Sequence, residues 1–242
     1  MRFCLTYFKF FYLLFRLMPV VLAGHAPGLV KGQTSYTIEF EANWQDRQLL
    51  ADSQYTAKET GWIRFGAIRY YVHGVALVTT TGMEIRDQRK HRLIDFSDPA
   101  STRFQIYAPE QQELSFLHFK LGVDSLTQSG GAIGEDLDPV NGMYWTWQSG
   151  YISIKLEGAS LASPHQKHEF ALHLGGYREP FQTIKSVSLP ISTKGNSVKV
   201  GLDLFHFMQH CPIQETHHIM SPSNVATQLA TVFASSFQII QP

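Results

Sequence analysis

From Ser35 onward the chain is a succession of short runs in which apolar and polar residues alternate, each run closed by glycine, proline, asparagine or serine. A period of two marks a strand with one buried face, because successive side chains on an extended backbone point to opposite sides. Tyr36, Ile38 and Phe40 alternate with Thr37, Glu39 and Glu41; Ile68, Tyr70 and Val72 alternate with Arg69, Tyr71 and His73; Val198, Val200 and Leu202 obey the same rule. No helical crossover separates consecutive strands, which argues against a parallel α/β sheet. The expectation is an all-β antiparallel β-sandwich with a short C-terminal helix. That helix is expected over residues 223–237, with Val225, Leu229, Val232 and Phe233 at helical spacing behind Ser221-Pro222-Ser223, and a shorter one over residues 203–210. Residues 63–78 read as a strand pair or one long bent strand with a bulge at Gly74. Residues 83–95, charged until Leu93-Ile94, read as an exposed hairpin arm whose last residues tuck in, and residues 122–136 as a long polar loop.

The N-terminus follows a different rule. Arg2 and Lys9 precede apolar runs at residues 10–15 and 17–22, and small residues stand where a signal peptidase cuts, after Ala23. Arg16 interrupts the run, which is also shorter than the ~20 apolar residues a spanning helix needs. The expectation is a cleaved signal peptide over residues 1–23, with an uncleaved anchor as the alternative that Arg16 leaves open, a flexible segment over 24–35 and one β domain over 36–242. The mature chain is expected to be periplasmic or secreted, with no stable membrane insertion. Removing residues 1–23 takes away Arg2, Lys9 and Arg16 and no acid, leaving a net charge of about −3. Nothing in that balance supplies the clustered positive face that nucleic acid requires. Cys4 leaves with the signal, so Cys211 has no partner for an intrachain disulfide; it is either buried or a soft metal ligand.

Residues 137–158 concentrate aromatic surface between well-marked turns, Asp138-Pro139 and Asn141-Gly142 in front and Ser149-Gly150 within. Two strands are expected to meet at Ser149-Gly150. On an extended strand Trp145 and Trp147 project together while Tyr144 and Thr146 point away. Two indoles on one face form either a core wall or the lining of a site, and a buried indole N–H needs a partner.

The run GMYWTWQSGYISIKLEG, followed by FALHLGGY at residues 170–177, resembles the signature of the MbnP-like family of secreted bacterial copper-binding proteins. IRYYVHGVALVTTTG, LSFLHFKLGVDS and IMSPSNVATQLATVF appear in the family's order, so the resemblance spans most of residues 36–237. It implies copper bound through two histidines and a kynurenine, a tryptophan oxidised by a di-haem partner of the MauG and cytochrome c peroxidase type. His173 in HLGG matches the family's histidine, and Trp145 or Trp147 would be the oxidised residue. Relatives carry a second histidine in the loop after a GVP-like stretch; here Gly122-Val123-Asp124 is followed by residues 125–129 with none. His118, on the face of Phe116 and Leu114, is the substitute. If its strand and that of His173 flank the tryptophan strand, these imidazoles and one indole converge.

Among the 11 histidines, His206 and His210 stand at i and i+4 on the short helix and are placed to chelate one ion, with Cys211 adding a thiolate. His73, in HGV, is a lesser metal candidate. The plainer reading of each is a histidine satisfied by a backbone carbonyl or by solvent. Glu135, Asp136 and Asp138 read as a solvated acidic turn rather than a calcium loop. There is no phosphate-binding glycine loop, no Gly-x-Ser-x-Gly elbow and no haem-attachment Cys-x-x-Cys-His, so no enzymatic activity is expected. A β-sandwich that binds or supports something other than a metal is the rival reading.

Overall fold

The computed structural model describes residues 33–147, 150–192 and 195–240. The expected signal segment and most of residues 24–35 lie outside the described residues, as does Ser149 of the turn expected at Ser149-Gly150. In chain order the elements are β1 (Thr34–Trp44), β2 (Arg47–Gln48), β3 (Tyr55–Ala57), β4 (Gly61–Thr79), β5 (Glu84–Arg86), β6 (His91–Asp95), β7 (Arg103–Ala108), β8 (Leu114–Leu121), α1 (Ser125–Ser129) and β9 (Tyr144–Trp145). They continue through β10 (Gly150–Ser160), β11 (Glu169–Gly175), β12 (Lys185–Pro190), β13 (Ser197–Asp203), α2 (Leu204–Gln209), α3 (Ile213–Thr216), β14 (His218–Ile219), α4 (Asn224–Ser235) and β15 (Phe237–Ile239). The chain is all-β in class: strands in two sheets, with one short helix in mid-chain and the others near its end.

Strand β4 is the spine of the larger sheet, whose order is β12, β8, β4, β10, β11, β14. It is one long bent strand. Its first half pairs with β10 and its second with β8, and the β4–β8 register shifts between His73 and Ala76. Gly74 sits in that shift with φ of 61°, a left-handed backbone that glycine adopts without strain. The smaller sheet runs β15, β13, β1, with β2 and β7 also paired to β1. Most pairs are antiparallel; β1 with β13 and β11 with β14 are parallel.

The expected hairpin arm over residues 83–95 does not form. Strands β5 and β6 each pair with β4 instead of with one another. The charged stretch hid this because both faces of β6 are covered: Ile85 and Ile94 enter the main core and His91 is buried on the opposite face, while Arg86 is exposed.

The main core lies where the inner faces of the sheets meet. Phe40 and Tyr70 touch edge-to-face at 6.1 Å, and Phe237 lies 5.3 Å from Phe119 and 5.5 Å from Phe233. Such T-shaped pairs add to the burial of large rings. Helix α4 is capped by Ser223, whose hydroxyl accepts from the Ala226 N–H, and it buries Ala226, Leu229, Ala230 and Phe233. It touches both β11 and β12, so it plugs the core rather than lying over one edge. Val225, expected on its apolar face, is 37% exposed.

The outer face of β4, β10 and β11 is covered as well. Residues 122–142 fold over it through α1 and two short 3-10 turns, forming a second small core with Tyr71, Val123, Leu137, Met143, Trp145 and Tyr151. The Tyr71 hydroxyl donates to the Asp136 carbonyl at 2.9 Å and that of Tyr151 to the Leu137 carbonyl at 3.0 Å. Asp124 caps α1 and Asp138 caps the Val140 N–H, so the polar residues of this expected loop are spent on holding it down.

Candidate metal centre

His173 sits on β11 between Leu172 and Leu174, which face the main core, so its imidazole falls on the outer face with Ala171 and Gly175. Its partner comes from the neighbouring strand. His173 Nε2 lies 2.6 Å from Glu157 Oε1, and Lys155 Nζ lies 3.4 Å from the same oxygen. A carboxylate only accepts, so Nε2 carries the proton and Nδ1 of the neutral ring keeps a lone pair. The hydrogen bond from His173 holds the Glu157 carboxyl below its ordinary value, with Lys155 adding to the effect.

Trp145 reaches the same face from the opposite side. Strand β9 is a two-residue hairpin partner of β10, Gly150 opposite Trp145 and Tyr151 opposite Tyr144. The six-membered ring then lies against Gly175, where a Cβ would stand 2.6 Å from Cζ3 and 2.7 Å from Cη2. Only a glycine leaves room for it, and that glycine is two positions along β11 from His173. Trp145 is 6% exposed and its Nε1 is buried with no hydrogen-bond partner among the described residues. Gln128 Nε2 is in the same condition, and the two residues help line a cavity of about 210 Å³ with Tyr151, Tyr177, Arg178 and Phe181. An orphaned buried donor is costly, about 1–3 kcal/mol.

Trp147 departs from the expected strand face. The strand ends at Trp145, Thr146 and Trp147 form a turn, and the Trp147 indole is 66% exposed, its ring 5.9 Å from that of Trp145. The two indoles touch, but one is walled in and the other is in solvent.

His118 is not brought to this site. It faces outward on β8 against Phe116 and pairs with Ala76 of β4, whereas His173 pairs with Lys155, itself opposite Arg69 of β4. Three inter-strand spacings and seven positions along β4 separate them by about 25 Å. His118 precedes the tryptophan strand in sequence, but two strands lie between β8 and β11 in the sheet.

His73 lies on the outer face of β4, about 15 Å from His173 on the same reckoning. Its Nδ1 donates to the Gly122 carbonyl at 2.8 Å. Opposite it on β6 is His91, with the ring centroids 5.7 Å apart, and His91 Nε2 donates to Asp124 Oδ2 at 2.7 Å. Sequence reasoning missed His91, because it stands among Arg89, Lys90 and Arg92 in a segment read as exposed. It also missed Asp124 and Glu157; only the positions of acids across from histidines reveal them.

On α2 the rings of His206 and His210 lie 4.6 Å apart, as the i, i+4 spacing requires, and His210 Nδ1 donates to the His206 carbonyl. Cys211 does not join them. It is buried in the main core, where burial pushes its thiol up to about 12, so no thiolate is offered to an ion. His168 packs against Trp62, and His165 lies beside Glu169 at 3.5 Å. Asp136 accepts weakly from Arg89 and the Leu93 N–H, which leaves the acidic turn structural. Among the described residues no three or more His, Cys, Asp or Glu side chains are grouped to hold a metal ion, and no helix is long and apolar enough to cross a membrane.

A family model described as MbnP matches residues 33–224. Among solved structures, MbnP from Methylosinus trichosporium superposes with a TM-score of 0.53 at 16% sequence identity, over 73% of this chain and 78% of that one, a likeness of fold. No curated protein matches the sequence.

Proposed function

The chain belongs to the MbnP family, and from that premise we propose that it is an exported copper-binding protein that scavenges or hands on the ion in the periplasm, with no catalysis of its own. The reading rests on one observation: the Nε1 of Trp145 is buried and, among the described residues, unpaired on the face that carries His173. Indole nitrogen is a donor only, so as encoded it offers a metal nothing. When oxidation opens the pyrrole ring and C2 leaves as formate, that same nitrogen becomes an aniline amine with a lone pair. The orphaned atom is thus the one that gains a function. His173 is prepared in the manner of a metal-binding imidazole, its far nitrogen anchored by a carboxylate and the near one left free. Imidazole and amine nitrogens suit copper. The fit is that of a site with one encoded ligand and one made after translation; His118 lies too far away to complete it.

Trp145 rather than Trp147 is the residue modified, because its ring is fixed against Gly175 beside His173 while that of Trp147 is solvated. A di-haem oxidase acting as partner supplies the oxidising equivalents. The exposed Trp147, in ring contact with Trp145, is the natural route by which an electron leaves the buried indole.

Protein purified from its native host tests this directly. Elemental analysis is expected to find copper, and mass spectrometry to find a peptide whose Trp145 has gained one oxygen and lost one carbon. Its N-terminus is expected at Gly24. Copper-free protein with an intact Trp145 would overturn the proposal and leave the non-metal β-sandwich reading.

A further inference from the structure

We propose that His73 and His91 form a second metal site, beyond the Trp145 face, that takes a monovalent copper ion through His73 Nε2 and His91 Nδ1. The two residues are direct cross-strand partners on β4 and β6. The Gly74 N–H donates to the Lys90 carbonyl, which makes His73 and His91 a non-hydrogen-bonded pair, the kind whose side chains stand closest. Both are nearly buried, 8% and 9% exposed.

Each ring has its tautomer fixed from behind. The Gly122 carbonyl and the Asp124 carboxylate are acceptors, so His73 carries its proton on Nδ1 and His91 on Nε2. The remaining nitrogens, one per ring, have lone pairs and no partner among the described residues. A backbone carbonyl behind one imidazole and a carboxylate behind the other is the arrangement that orients histidines toward metals. With metal–nitrogen bonds of about 2.0 Å, two imidazoles sharing an ion hold their centroids at most about 6 Å apart; the observed 5.7 Å falls within that reach.

The surroundings select the ion. Asp124 is fully engaged: Oδ2 accepts from His91, Lys90 and Thr127, and Oδ1 from the Thr127 N–H. With both oxygens committed in this way, the carboxylate acts through His91 rather than on the ion. Lys90 flanks the pair and Lys120 is the β8 partner of His73. Two cations against one carboxylate disfavour a divalent ion, and two nitrogens satisfy copper(I) while zinc seeks four ligands. His91 also lines an open depression of about 470 Å³ with Arg89, Lys90, Ile133 and Asp136, which gives the ion a way in.

The test uses the full chain made in a host lacking any di-haem oxidase, so that Trp145 stays a tryptophan and the other site keeps only its encoded ligand. Copper(I) is titrated anaerobically against a chromophoric copper(I) chelator. Wild type and His173→Gln are expected to take up a single ion in competition with the chelator. His73→Phe and His91→Phe are expected to take up none, and Asp124→Asn, which can still cap α1, to bind about 10-fold more weakly or worse. Nitrogen-15 spectra of the wild-type imidazoles guard against variants that fail to fold: diamagnetic copper(I) is expected to move His73 Nε2 and His91 Nδ1. Absence of those shifts, uptake that survives in folded His73→Phe, or displacement of the copper by zinc would overturn the site. None of these results depends on whether Trp145 is modified in the native host.

Discussion

Replacing Gly175 by alanine is the most direct probe of how Trp145 is held. The added Cβ would lie 2.6 Å and 2.7 Å from two atoms of the rigid indole and 3.0 Å from the Tyr151 carbonyl oxygen. Neither neighbour is the loose end of a flexible chain, so the ring must swing out or the β10–β11 pair must part. Overpacking of this kind costs about 1–3 kcal/mol, and the rigidity on both sides puts the change in the upper half of that range. For a chain of this size about 2–4 °C of melting temperature goes with each kcal/mol, so Gly175→Ala is expected to melt roughly 5–10 °C lower. Its tryptophan emission is expected to shift to the red as Trp145 meets water. Gly134 is the control: nothing lies within 4 Å of a Cβ there and its φ is not positive, so Gly134→Ala should stay within about 0.5 kcal/mol of wild type. Calorimetry and fluorescence on the two variants decide the matter. A Gly175→Ala protein that melts with wild type and keeps its emission would show that Trp145 does not rest on this glycine.

Other outcomes follow from single contacts. Because His173 and Lys155 hold the Glu157 carboxyl below its ordinary value, its ion pair stabilises the fold above that value and loses this contribution as pH falls through the depressed one. Glu157→Gln is therefore expected to flatten acid-side melting curves, by less than about 1 kcal/mol since the carboxylate is partly in solvent; an unchanged acid profile would refute the pair. Cys211, buried and with its thiol pushed up to about 12, should resist thiol reagents in the folded protein and react fully once denaturant is added, as a colorimetric thiol assay would read. Phe233→Ala removes the α4 ring that touches Tyr70, Phe207 and Phe237 and should cost about 3–5 kcal/mol in chemical denaturation.

The period-two patterns of β1, β4 and β13 were legible because alternation is a local property, and their inward residues are the buried ones. The caps at Ser223 and Asp203 were equally local, so both late helices stand within a residue or two of where spacing puts them. Pairing was less legible. Charged β6 reads as solvent-facing until β4 and the α1 lid claim its two sides, and the strand through Trp147 stops early because the turn residues beyond it outweigh the pattern.

For the site the division is sharper. His173 and the indole pair Trp145 and Trp147 stand out in the chain alone, since the motif around each is long, but parity along the strand puts both indoles on one face and does not choose between them. Parity says which side of a sheet a residue occupies and nothing about which strand lies next to it. That order was decided only when β4 and β10 took their places between β8 and β11, which moved His118 away from the indole and put His91 against His73, eighteen positions distant in sequence. Pairs that depend on strand order are fixed by how the whole chain buries its apolar faces, and no local stretch of residues records that solution.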